Sequence, residues 1–184
     1  MVSSNFTIRG GSAFAKRLMS SSSSAFTFEK TAVVGLGLMG HGICQVTAMS
    51  KSCSQVVAYE NEQKFLDSGK LRIEKSLNAM IRKERITQKE ADDTLSRILF
   101  TTDVDAIADT DFIVEAVIEN IDLKKNLYSH LGDVCQSDTI FASNTSSLSI
   151  TEMAEVSGRE DKFVGVHFFN PVQLMKVSIN YVGL

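Results

Sequence analysis

The chain alternates short apolar runs with longer segments of helical periodicity over most of its length. Runs rich in β-branched and aromatic residues predict buried strands. These runs are residues 32–34, 55–59, 111–117, 139–143 and 163–169, with a shorter strand expected near 98–101. Because helical segments separate them, the pattern predicts an α/β fold with a doubly wound, mostly parallel sheet.

The helical segments are uneven in length. Helices are predicted over residues 43–49, 61–83, from Thr87 to about Leu99, over 123–131, and briefly after Ser149. Two of them lie between the second strand and the strand near residue 98, and Thr87-Gln88-Lys89-Glu90 is a capping box that opens the second. This helical hairpin is longer than a strand-to-strand crossover needs. The extra length either contributes to substrate binding or is a simple elaboration of the fold.

One strand-to-helix turn carries a glycine fingerprint, Gly35-Leu36-Gly37-Leu38-Met39-Gly40. The first glycine allows a tight turn, the second lets the backbone approach a pyrophosphate, and the third lets the helix pack close to the strand. The N–H groups at the helix start then face the phosphates. The turn therefore predicts a dinucleotide site in a Rossmann-type domain.

A carboxylate follows the second strand. Glu60 lies twenty positions after Gly40, where a ribose diol binds in this type of fold. A carboxylate there repels a 2′-phosphate, so the sequence favours NAD over NADP. The alternative is an ordinary strand–helix turn followed by an unrelated surface glutamate.

Composition narrows the class of protein. The chain has 184 residues, of which 43% are hydrophobic and 22% charged, as in soluble globular proteins. A net charge of −3 without blocks of like charge argues against nucleic acid or an anionic membrane as a partner. No apolar run reaches the length of a membrane span. Cys44, Cys53 and Cys135 have no metal-binding spacing, so we expect no metal, and buried thiols in a reducing compartment.

Residues 1–28 differ from the rest of the chain. They contain Arg9, Lys16 and Arg17 but no Asp or Glu, and serine fills positions 20–24. The apolar residues are scattered, without the long apolar core of a secretory signal. This composition is typical of an organelle-import presequence. The alternative is a disordered tail without an address.

Polar residues follow three of the predicted strands. Glu119 and Asn120 follow one, Asn144-Thr145-Ser146-Ser147 follow the next, and His167 lies near the end of the last. Each alone is common in turns or cores. Ligands of open α/β sheets bind outside the carboxyl ends of the strands, so we expect these groups to converge there. A histidine beside a nicotinamide can take the hydroxyl proton of an alcohol.

Four motifs in order resemble the NAD-binding domain of L-3-hydroxyacyl-CoA dehydrogenases. They are the fingerprint at 35–40, Ile-Val-Glu-Ala-Val-Ile-Glu-Asn at 113–120, Ser-Asn-Thr-Ser-Ser-Leu at 143–148 and His-Phe-Phe-Asn-Pro-Val at 167–172. The likeness runs from about residue 28 to residue 176. It is nearest to the short-chain mitochondrial enzyme of fatty-acid β-oxidation and to bacterial 3-hydroxybutyryl-CoA dehydrogenases.

The resemblance implies roles for particular residues. His167 would be the catalytic acid and base, Ser146 would contact both substrate and cofactor, and Asn170 would line the nicotinamide site. Glu60, Glu119 and Lys124 would contact NAD. On the helical hairpin, Ser76 and Lys83 would contact the coenzyme A of an acyl-CoA substrate, and Arg82 beside Lys83 adds positive charge.

The resemblance ends after Lys176. The family continues with Met-Lys-Leu-Val-Glu-Val, whose glutamate orients the histidine, whereas Ile179 holds that place here. An apolar side chain can neither fix a tautomer nor stabilise an imidazolium. The family's C-terminal helical domain, through which it dimerises, does not follow. We therefore expect residues 177–184 to be an atypical tail, and translation of a retained intron or a mispredicted gene end would explain it.

Together these features predict an NAD-binding domain over residues 29–176 and a mitochondrial matrix location. The proposed parent reaction oxidises (S)-3-hydroxyacyl-CoA to 3-oxoacyl-CoA, and the chain ending at Leu184 should be poorly active. The rival interpretation is a non-catalytic NAD-binding module. A third is another β-hydroxyacid dehydrogenase with a similar glycine turn, against which the motifs at 143–148 and 167–172 argue.

Residues 1–28 fused to a fluorescent reporter should direct it to mitochondria, because a basic, serine-rich, acid-free segment suits that import route. The measurement is co-localisation with a matrix marker. A matched fusion with Arg9, Lys16 and Arg17 changed to Gln should stay in the cytosol. Cytosolic fluorescence from the unmodified segment would contradict the targeting hypothesis.

Overall fold

A single sheet organises the part of the chain that the computed structural model describes, residues 28–175 and 178–182. Its seven strands lie in the order β3-β2-β1-β4-β5-β6-β7. Strands β1 to β6 run parallel to one another. The strands are β1 Lys30–Val34, β2 Gln55–Tyr59, β3 Ile98–Thr101, β4 Phe112–Glu115, β5 Ile140–Asn144, β6 Phe163–His167 and β7 Ser178–Val182.

Among the described residues, five α-helices cover the two faces of the sheet. They are α1 Gly40–Ser50, α2 Gln63–Arg82, α3 Gln88–Ser96, α4 Ile121–Val134 and α5 Ile150–Ser157. Alternate strand residues point to opposite faces, so Val33 packs with α1, α2 and α3 while Ala32 packs with α4 and α5. Both faces are therefore buried, as the apolar strands require.

Most predicted elements are confirmed, with shifted ends. The capping box at Thr87 is present, and Ser149 accepts the Glu152 N–H at 3.2 Å at the start of α5. The hairpin of α2 and α3 joins β2 to β3. The prediction that its second helix reaches Leu99 is wrong, because β3 starts at Ile98 and its pairing with β2 takes those backbone groups.

The carboxyl end of the sheet differs from the prediction. β6 ends at His167 instead of residue 169 and is not the last strand. Residues 178–182, within the segment expected to be an atypical tail, form β7, which pairs antiparallel with β6. In this register Ser178 lies opposite His167 and Ile179 opposite Val166. The predicted presequence lies outside the described residues apart from Phe28.

The cysteines agree with the expectation of buried thiols. Cys44, Cys53 and Cys135 are free and buried, and burial raises the pKa of Cys135 to about 11. Their thiols are therefore protonated and poorly reactive at neutral pH. In the described ranges no helix is long and apolar enough to cross a bilayer.

Gly69 lets α2 lie against the glycine turn, since a Cβ there would come within 2.4 Å of the Leu36 Cβ. Gly69→Ala should therefore destabilise the fold by about 1–3 kcal/mol through overpacking, although alanine is the better helix former. Urea unfolding measures the effect. The neighbouring exposed Ser68→Ala should change stability by less than about 0.5 kcal/mol, and equal stability of the two variants would contradict this packing.

Candidate functional site

The glycine turn between β1 and α1 is closely packed. Gly35 has a φ of +89°, a conformation that favours glycine. A Cβ on Gly40 would lie 1.7 Å from the Gly35 carbonyl oxygen, so a side chain cannot be accommodated there. The first turn of α1 consequently lies directly on the end of β1.

The same turn is open on its outer side. A Cβ on Gly37 would meet nothing within 4 Å, so the backbone there is accessible to a ligand. α1 begins with neither a capping side chain nor an acidic residue in its first turn. An amino end of this kind suits an anion such as a pyrophosphate.

A cavity of about 970 Å³ adjoins the turn. Its lining comes from the glycine turn, from the ends of β1, β2 and β4, and from α1, α2 and α4. It includes Gly37, Glu60, Phe65, Arg72 and Ile118. Glu60 is anchored there, because its Oε1 accepts the Leu36 N–H at 2.6 Å. The Glu60 carboxylate suits the hydroxyl groups of a ribose, and the open glycine turn suits a pyrophosphate.

A second group of polar residues lies at the carboxyl ends of β4, β5 and β6. Ser146 Oγ is 3.1 Å from His167 Nε2, so the two predicted catalytic side chains are hydrogen-bonded. Glu119 Oε1 accepts the Thr145 hydroxyl and, at 3.2 Å, the Ser146 N–H. The His167 and Phe169 rings pack in a T-shaped arrangement, with their centroids 4.7 Å apart. We call this group of residues the polar edge.

Lys124 lies beneath the polar edge, and its side chain is fully buried. Its ammonium donates to Glu115 Oε1 at 3.0 Å, to Glu119 Oε2 at 3.1 Å and to the Asn144 carbonyl oxygen at 3.1 Å. A direct contact of Lys124 with NAD, as the resemblance implied, does not fit this burial. Of its charged partners, Glu119 is the one that reaches the surface, with a side chain that is 42% exposed. The Asn144 side chain in turn accepts the Phe168 N–H at 3.1 Å.

The two carboxyl groups around Lys124 have opposite pKa shifts. Burial raises the pKa of Glu115, although Lys124, Ser143 and the Val117 N–H all favour its ionised form. Partial burial also acts to raise the pKa of Glu119, but the hydrogen bond from Thr145 and the Lys124 charge outweigh it and leave that pKa lowered. Glu119 is therefore the carboxylate that stays ionised over the wider pH range.

The remaining predicted site residues are dispersed. Asn170 is exposed just after His167, and its peptide bond to Pro171 is cis. Ser76 is half-buried on α2, and Lys83 is exposed directly after that helix. These residues are not among those that line the cavity.

Three residues were missed or given no role from the sequence. Phe65 and Arg72 line the cavity from α2, and their spacing of seven, two helical turns, was the available signal. Glu115 lies within the motif at 113–120 but received no predicted role, because a single glutamate in an apolar strand gives no indication of its partner.

The chain belongs to the family described as "3-hydroxyacyl-CoA dehydrogenase, NAD binding domain", whose model matches residues 30–178. It is 47% identical over 149 residues to the "probable 3-hydroxybutyryl-CoA dehydrogenase" of Deinococcus radiodurans, covering 80% of this chain and 52% of that protein. It is 41% identical over 173 residues to the mitochondrial hydroxyacyl-coenzyme A dehydrogenase of Sus scrofa, covering 88% and 54%.

A solved structure agrees with this assignment. The (S)-3-hydroxybutyryl-CoA dehydrogenase of Ralstonia eutropha superposes with a TM-score of 0.77 at 37% identity, covering 81% of this chain and 52% of that one. The cofactor of the domain is NAD, as the fingerprint and Glu60 predicted. The chain spans about half the length of these curated relatives.

Glu60 should make the chain prefer NADH to NADPH by at least about tenfold in Kd, because a carboxylate disfavours a 2′-phosphate. Glu60→Gln should weaken NADH binding and reduce the ratio of the NADPH Kd to the NADH Kd. Glu62→Gln, which removes another carboxylate from the same cavity lining, is the matched control. It should leave the ratio of the two Kd values unchanged. Nicotinamide fluorescence titrations measure all of these, and equal affinities in the unmutated chain would contradict the role of Glu60.

Proposed function

We propose that this chain is the cofactor-binding half of an enzyme that oxidises (S)-3-hydroxyacyl-CoA to 3-oxoacyl-CoA. The observation that carries the proposal is the hydrogen bond between Ser146 Oγ and His167 Nε2, 3.1 Å long. It lies at the carboxyl ends of the parallel strands, the same end of the sheet at which the cavity adjoins the glycine turn. The names of the relatives, 3-hydroxybutyryl-CoA and hydroxyacyl-coenzyme A dehydrogenases, support the substrate class.

His167 acts as the acid and base in this proposal. Its imidazole takes the hydroxyl proton of the 3-hydroxyacyl group in oxidation and returns it in reduction. The Ser146 hydroxyl, already paired with Nε2, hydrogen-bonds the oxygen that becomes a carbonyl. Because Glu119 holds the Ser146 backbone, it keeps that hydroxyl in place.

NAD supplies the hydride acceptor of the reaction when it is bound. The residues proposed to hold it are the glycine turn 35–40 for the pyrophosphate, Glu60 for a ribose, and Glu119, Ser146 and Asn170 toward the nicotinamide. Lys124 contributes by fixing Glu119. The open backbone at Gly37 and the uncapped start of α1 support this assignment.

The helical hairpin is proposed to hold the coenzyme A portion of the substrate. Lys83 is exposed at the end of α2 beside Arg82, so two cations are available to an anionic ligand. Ser76 lies seven positions earlier on the same helix face. This assigns a substrate role to an insertion that the crossover alone does not require.

His167 has an unusual environment for this chemistry. The family resemblance implies a glutamate where Ile179 stands, and the strand that carries Ile179 pairs with the strand of His167. Without a carboxylate the imidazolium is less stabilised, and in a related triad such a loss costs about 10⁴-fold in turnover. We therefore propose that the 184-residue chain by itself is a poor catalyst, although its cofactor site is intact.

The setting proposed for this activity is fatty-acid β-oxidation in the mitochondrial matrix, with assembly into dimers through a C-terminal helical region. The composition of residues 1–28 and the names of the mammalian relatives support the location. Bacterial relatives are equally similar, so the location depends on the presequence hypothesis.

The chain as given should bind NADH but oxidise it with acetoacetyl-CoA very slowly. A version with Glu at position 179 and the helical region of a relative appended should react at least about 10⁴-fold faster, since it restores both the carboxylate and a cleft closed to water. Absorbance at 340 nm measures the rate. Equal rates for the two proteins would overturn the proposed need for these parts.

In the extended protein, His167→Gln should lower turnover by at least about 10²-fold while leaving NADH affinity nearly unchanged. His130→Gln, an exposed histidine on α4, is the matched control and should react normally. An extended protein that binds NADH but gives no turnover would favour the non-catalytic NAD-binding module.

A further inference from the structure

A buried glutamate lies behind the polar edge. Glu115 ends β4 and is 0% exposed. Its Oε1 accepts the Val117 N–H at 2.7 Å and the Lys124 ammonium at 3.0 Å. Its Oε2 accepts the Ser143 hydroxyl at 2.6 Å and the Tyr128 hydroxyl at 3.4 Å. The carboxylate is thus held on both oxygens, and it is too deep to touch a ligand.

The Lys124 ammonium needs this carboxylate. A buried cation is costly unless it is paired and hydrogen-bonded, and Lys124 is 0% exposed. Of its two charged partners, Glu115 is equally buried, whereas Glu119 is partly exposed to water. Glu115 is therefore the partner that keeps the ammonium stable at this depth.

Lys124 also joins loops that carry the polar edge. Its bonds to Glu119 and to the Asn144 carbonyl oxygen hold the segments after β4 and β5. Glu119 continues the chain of contacts to the Ser146 N–H, and Ser146 to His167. A change at Glu115 would therefore reach the surface through one ammonium group.

We infer that Glu115 is a positioning residue for the nicotinamide end of the cofactor: it holds Lys124, which in turn fixes Glu119 and the loop bearing Ser146. This inference rests on the proposed function, which assigns that end of NAD to the polar edge. The side-chain partners of Glu115 and Lys124 do not include Glu60, to which the adenosine end is assigned. Glu115 touches the cavity lining through the Val117 N–H, whose acceptor oxygen remains when Glu115 is changed to Gln. A change at Glu115 should thus weaken binding of the nicotinamide half of the cofactor and leave binding of the adenosine half unchanged.

Glu115→Gln tests this, because it keeps the side-chain shape and an acceptor but removes the charge. NADH should bind about tenfold more weakly to the variant, while ADP-ribose, which lacks the nicotinamide, should bind as it does to the unmutated chain. At saturating NADH, the emission of the bound nicotinamide should shift toward that of free NADH. Calorimetric titration and fluorescence measure these outcomes.

Two comparisons separate positioning from general loss of stability. Thr139→Val removes another buried hydrogen bond, from Thr139 Oγ1 to the Thr110 carbonyl oxygen. Thr139 directly precedes β5, at the opposite end of that strand. It should lower thermal stability without changing the ratio of the Kd for NADH to the Kd for ADP-ribose. In a double-mutant cycle, Glu115→Gln should add nothing to the NADH affinity lost in Lys124→Met.

Equal NADH binding by Glu115→Gln and the unmutated chain would overturn the inference, as would equal loss of NADH and ADP-ribose. If Glu115→Gln does not fold, Ser143→Ala provides the test, since it removes one hydrogen bond to Glu115 and keeps the charge. It should weaken NADH binding about two- to threefold and spare ADP-ribose, and no change would again overturn the inference. Failure of the proposed function would appear separately, as absent acetoacetyl-CoA turnover in the extended protein.

Discussion

The close contact between Gly40 and the carbonyl of Gly35 determines the geometry of the cofactor side of this domain. Any Cβ at Gly40 would collide with that oxygen, so the turn from β1 into α1 exists only because glycine is there. With α1 seated on the strand end, its uncapped amino end and the open backbone at Gly37 face the cavity. Glu60 is tied to the same turn, because its carboxylate accepts the Leu36 N–H.

A second constraint, electrostatic rather than steric, governs the opposite side of the site. Parallel strands end at one edge of the sheet, so polar residues from three separate segments meet there. Packing alone does not orient them. The buried Lys124 ammonium does so by satisfying Glu115, Glu119 and a backbone carbonyl at once, and the cost of leaving any of these groups unpaired maintains the arrangement. The two sides therefore depend on different physics, close packing at the glycine turn and paired charges near His167.

Local patterns predicted much of this organisation because their causes are local. Thr87 and Glu90 are three residues apart, so their reciprocal hydrogen bonds form in any helix that starts there. The glycine fingerprint is local in the same sense, because the requirement for each glycine arises from residues within the turn. Element ends were less well predicted. The helix expected to run to Leu99 yields to β3, because pairing with β2 is a long-range interaction that propensity does not contain.

The identity of the cofactor, the helical hairpin and the convergence of Ser146 with His167 could be read from residue types, spacing and the rule that parallel strands share an edge. The burial of Lys124, the part played by Glu115 and the pairing of β7 with β6 could not. Each depends on residues that are far apart along the chain and meet only when the sheet has formed. A lysine in an amphipathic helix looks the same in the sequence whether it faces water or two carboxylates, and the free energy that decides between them comes from desolvation in the folded state.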